Sequence, residues 1–129
     1  MNTQYSLYLD SKKIGTTQLE KADVPMGVVF GMIEFEGIES PYHFFKDYCS
    51  AHQIALNAED AEVELIDTQD ISALQVVRED GVEIQGAGGK TLAGMKGEGY
   101  ELSISGIEAS FYEEAFPAYV KAYRERFGH

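Results

Sequence analysis

The stretch Asp23–Gly37, DVPMGVVFGMIEFEG, constrains the fold more than any other part of the chain. It holds the longest apolar run, Val28-Val29-Phe30 and Met32-Ile33, interrupted only by Gly31. β-Branched and aromatic residues favour a pleated, half-buried backbone. A short apolar run bounded by Pro and Gly reads as a central strand more readily than as a helix. Gly27 and Gly31 weaken a strand entropically, so they mark a bulge or a place where another backbone or a ligand comes close.

The flanks supply partners for that strand. Tyr5, Leu7 and Leu9 alternate with polar neighbours, and after the turn Asp10–Lys13 the segment Ile14–Leu19 reads as the returning arm of a hairpin. Ser40-Pro41 is a helix start, a side-chain cap followed by a residue whose φ is already set. Tyr42, Phe45, Tyr48, Cys49 and His52 then fall at helical spacing, which predicts a helix over 41–52 with its aromatic stripe on the sheet.

Further on, 57–60 reads as a loop. Val63 and Leu65 alternate with Glu62 and Glu64, Ile71–Val77 reads as a strand, and Glu79-Asp80-Gly81 turns it into Val82–Ile84. The segment 86–99 has six glycines and no periodicity, which predicts a mobile loop or a loose hairpin extension. Tyr100, Leu102 and Ile104 alternate again. Ser110 with Glu113 has the spacing of a capping box. Pro117 should kink or split the last helix, whose Phe116, Val120, Tyr123 and Phe127 keep one phase up to a C′ Gly128. These patterns predict a single α+β domain over 1–129, with two helices on a mainly antiparallel sheet of six or seven strands, twisted or partly closed. Phe30, Ile33, Phe45, Tyr48, Leu102, Ile104, Val120 and Phe127 are the expected core.

The chain carries 22 Asp and Glu against 10 Lys and Arg, a formal net charge of −12. That charge repels nucleic acid and anionic membrane alike and favours a basic protein partner or plain solubility. The single cysteine, Cys49, excludes an internal disulfide and suits a reducing compartment. With no basic and apolar leader and no bilayer-length apolar run, a bacterial cytoplasm is the expected location.

No pattern of catalytic residues stands out. Gly88-Gly89-Lys90-Thr91 looks like the end of a phosphate loop, but the position five before its second glycine is Ile84, and no helix-forming run follows the lysine. Cys49 and His52 share a helix face near its C-terminus, where the dipole raises a thiol pKa, so a structural cysteine is expected. The histidines do not converge on a metal, the Asp60–Asp70 acids lack the spacing of a calcium loop, and no cofactor is expected. The acidic residues around Glu62 and Glu64 read either as a solvated edge or as a landing surface for a basic protein.

Ile14-Gly15, Leu19-Glu20, Asp23 and Pro25-Met26-Gly27, followed by Ser40-Pro41-Tyr42, resemble the opening of a group of small uncharacterised bacterial proteins that share an N-terminal hairpin and this signature up to its proline–methionine–glycine. The resemblance covers about the first 40 residues. It implies that Glu20, Asp23 and Met26 hold a particular loop, for architecture or for a site, and it implies no activity.

Three functional readings stay open. The first is a non-enzymatic binding module, an immunity- or antitoxin-like protein masking a basic effector through Glu62 and Glu64. The second is a small-molecule binder or enzyme that uses a cleft between Met26–Gly31 and the 86–99 loop, with Tyr100 beside it. The third is a subunit that acts only within a homodimer.

Overall fold

The computed structural model describes residues 3–127; the expected C′ Gly128 and the terminal His129 lie outside them. The described residues form nine strands and three helices: β1 Tyr5–Leu9, β2 Lys12–Thr17, β3 Lys21–Asp23, β4 Val28–Phe35, α1 Pro41–Ala51, β5 Leu56–Asp60, β6 Leu65–Thr68, β7 Leu74–Arg78, β8 Gly89–Met95, β9 Gly99–Ser105, α2 Ala109–Ala115 and α3 Pro117–Phe127. One open antiparallel sheet runs β5-β6-β8-β9-β4-β2-β1-β7, with β3 paired to β4 beside β2. This is the expected α+β class, with more strands than expected and with the last helix divided in two.

β4 is the hub. Along one edge it pairs β9, Val29 opposite Ile104 and Gly31 opposite Leu102. Along the other it changes partner, pairing β3 through Val28–Phe30 and β2 through Ile33–Phe35. At the change the chain between β2 and β3 bulges out at Leu19, whose φ is 45°. The Glu20 carboxylate takes over the missing ladder bond, accepting from the Met32 N–H at 2.8 Å. Gly31 is obligatory here: a Cβ would sit 2.7 Å from Thr17 Oγ1 and 2.8 Å from Leu19 Cα. Gly27, at φ 66°, is likewise a close approach, to the backbone of Ile107. Both glycines mark backbone proximity rather than a ligand.

The core lies on one face of the sheet. Leu7, Leu9, Val29, Leu92, Leu102 and Ile104 point to it, and α1 closes it with Tyr42, Phe45 and Cys49. Ser40 caps α1 as expected, its side chain accepting from the His43 N–H. Phe45, Leu102, Ile104 and Val120 are buried, and Ile33 and Tyr48 pack against them partly covered. Phe30 does not join them. It sits opposite Ser103, on the face away from Val29 and Ile104, because alternation sends neighbours of a strand to opposite sides. Phe127 is 54% exposed, at the end of α3.

Four local expectations give way. Residues 57–60 belong to strand β5, which the sequence hides because Asn57 to Asp60 are all exposed and show no alternation. The Glu62–Glu64 stretch is a turn, and its strand starts only at Leu65. Of the two forms expected for 86–99, the mobile loop gives way to the hairpin: β8 occupies its middle, hydrogen-bonded to β9 along its length and to β6 at Ala93 and Gly94. Its glycines allow close packing, since a Cβ at Gly94 would lie 2.5 Å from Tyr100 Cα. The last helix begins earlier than the Ser110 box implies, capped by Glu108, whose carboxylate accepts from the Ser110 N–H at 3.0 Å. Phe116 leaves helical geometry and Pro117 opens α3, the split expected of an internal proline.

Candidate functional site

Three surfaces bring together residues with chemistry. The first is the tip of the β5–β6 hairpin. β5 ends the sheet, and Asn57 to Asp60 are exposed along it. Asp60 accepts from the Glu62 N–H at 2.9 Å, which shapes the turn and leaves the Glu62 side chain in solvent. Glu64 behaves differently from Glu62. Its φ is 49°, its carboxylate receives Ser40 Oγ at 3.1 Å and lies 3.7 Å from Lys96 Nζ, and its carbonyl accepts from Tyr100 OH at 2.7 Å. Glu64 therefore ties the α1 cap, the β8–β9 turn and β9 together. Tyr100 is buried beneath it, edge-on to Phe35, and burial pushes its phenol up.

The second surface is the start of α1. Tyr42 OH donates to Glu59 Oε2, with Lys46 Nζ 3.2 Å from the phenol oxygen and 3.5 Å from the carboxylate. The Tyr42 bond, assisted by Lys46, holds Glu59 below its ordinary range, while the same bond raises Tyr42. This cluster fastens α1 to the edge strand. Ser40 Oγ meets His43 Nδ1 at 2.7 Å while also reaching Glu64. A nucleophilic serine needs the histidine between hydroxyl and carboxylate. Here the hydroxyl stands between them and is also the helix cap, so the group stabilises the α1 start. The spacing Ser40-x-x-His43 was the only sequence sign of it.

The third surface runs along α3. Two adjoining hollows of about 400 and 830 Å³ share Val24, Pro25 and Tyr123. Met26, Gly27, Ile107, Tyr112 and Arg124 line the first, and Asp23, Phe30, Glu101, Arg126 and Phe127 the second. The wall facing Met26 is therefore α2 and α3 rather than residues 86–99, so the expected cleft between those two segments is not what Met26 lines. Tyr112 OH donates to Val28 O at 3.0 Å, and burial, with lesser help from Tyr119 and Asp23, pushes its pKa up to about 12. Of the residues singled out by the N-terminal resemblance, Glu20 serves the β4 joint, while Asp23 and Met26 lie at these hollows.

The remaining candidates resolve structurally. Gly89 and Lys90 open a strand, not a helix, and the Lys90 N–H is bound by Asp70 at 2.9 Å, which leaves no phosphate cradle. Cys49 is buried, and desolvation raises its thiol pKa, the setting of an inert cysteine. Among the described residues no three His, Cys, Asp or Glu side chains converge as a metal-holding group, and no helix is long and apolar enough to cross a membrane. No family model, curated protein or solved structure matches the chain, so any functional reading rests on its own geometry.

Proposed function

We propose that the protein is a non-enzymatic binding module that masks a basic protein partner, in the manner of an immunity protein or antitoxin, through the β5 edge and the turn after it. One observation carries this reading: the terminal strand of the sheet is exposed from Asn57 to Asp60 and leads straight into the exposed Glu62. An unpaired strand edge offers backbone donors and acceptors to an incoming chain, and acidic side chains along it select a basic one. Opposite charge speeds the encounter and rejects acidic competitors. A buried, unpaired Cys49 fits a reducing cytoplasm, to which we assign the protein.

The test is affinity capture from lysate of the source cell at low and high salt, comparing wild type with Asp60→Asn/Glu62→Lys, in which the asparagine keeps an oxygen to accept from the residue 62 N–H. Glu64 is left intact because it braces three elements. A basic protein held at low salt, released at high salt and lost with the double variant is the expected result. Capture that ignores the variant moves the contact elsewhere. If wild type captures no salt-sensitive basic protein, the masking function is wrong.

A further inference from the structure

The α3 surface is apolar at its floor and carries charges of both signs around it. Met26 is 67% exposed and Phe127 54%, and both border the continuous hollow that passes Tyr123. Phe30 forms part of its floor, on the sheet face away from the core. Monomeric proteins seldom leave large apolar side chains clustered in one place without a partner.

The charges around this floor are divided. Around the second hollow Arg126 stands on the helix side, and Asp23 and Glu101 on the strand side; Arg124 and Glu113 border the first. Arg124 is committed to Glu113 at 2.7 Å and Glu101 to Lys21 at 3.2 Å. Arg126 and Asp23 line the same hollow, yet among the described residues neither forms an ion pair.

We infer that this surface is a two-fold interface with a second copy of the chain, in which Arg126 of each copy pairs with Asp23 of the other. A two-fold contact requires a patch complementary to itself. An apolar floor with a cationic rim on one side and an anionic rim on the other has that property, because the rotation lays each rim over its opposite. A uniformly basic partner would meet the α3 cations, and a uniformly acidic one would meet Asp23 and Glu101. The Tyr119–Tyr123–Phe127 side of α3 provides the knobs, with the Tyr123 and Phe127 rings tilted against each other at 4.6 Å between centres. The inference stands apart from the β5 reading, since the two surfaces share no residue.

The experiment is sedimentation equilibrium of the full chain across a concentration series, with circular dichroism to verify folding. Wild type is expected to dimerise. Arg126→Asp and Asp23→Arg should each raise the dimer Kd about tenfold or more, the scale of a lost interfacial charge pair. Arg126→Asp/Asp23→Arg, which exchanges the two charges, should bring association back. A wild type that stays monomeric up to concentrations on the order of 100 μM overturns the proposal, because a dimer weaker than that is no specific interface. A dimer indifferent to both single reversals, or singles that weaken it without recovery in the double variant, overturns the pairing.

Discussion

Tyrosine hydroxyls hold much of this molecule together by reaching carbonyl oxygens far away in sequence. Tyr100 binds Glu64 O, Tyr112 binds Val28 O and Tyr119 binds Leu19 O. Each ring fills apolar space while its hydroxyl donates to a backbone carbonyl. Tyr112 gives this a measurable consequence. Its folded-state pKa of about 12 lies above the ordinary 10.0, so the fold favours the neutral phenol. The stability linked to that proton is fully present below pH 10 and is lost as the pH rises through about 12. Denaturant titrations across that window should show a falling midpoint, and Tyr112→Phe should flatten the fall while lowering stability at neutral pH by about 1 kcal/mol. A pH dependence identical in the variant would assign the alkaline loss to other groups.

At the level of elements, β8 is the place where the glycine content misleads. Its amides face β9 along the strand and β6 at its centre, so they should exchange with solvent as slowly as those of Tyr100–Ile104. The turn at 96–98 should exchange faster than the strand, although its Lys96 and Glu98 N–H groups donate to Val63 O and Met95 O. Native-state hydrogen exchange read residue by residue checks this, and rapid exchange throughout 89–95 would show a strand that opens on its own. Where burial was one-sided, the elements were legible in the sequence: β1, β9 and α1 follow from alternation or helical spacing, and the organising role of β4 follows from its apolar run. β5 escaped notice because both of its faces meet solvent, and periodicity records only a difference between faces. Phe30 was misplaced because an uninterrupted apolar run conceals which members point inward. At the candidate surfaces, the exposure of Glu62 was readable, whereas the bracing role of Glu64 and the meeting of Met26 with α3 depend on contacts distant in sequence.

For the whole molecule, charge is the governing quantity. Six ion pairs engage six of the 22 carboxylates, leaving 16 with no cation partner among the described residues. Mutual repulsion among these charges opposes compaction, and salt relieves it as the screening length shortens from about 30 Å at 0.01 M to about 8 Å at 0.15 M. Raising salt over that range should lift Tm by about 3–5 °C, the equivalent of roughly 1 kcal/mol in a domain of this size. A calorimetric Tm that stays flat or falls would mean that the six ion pairs matter more than the uncompensated carboxylates. The open β5 edge has its own consequence for growth. Asp60 and Glu62 place carboxylates at its end, so pairing with the same edge of another copy brings like charges together, and the edge admits a cationic strand more readily than its own copy.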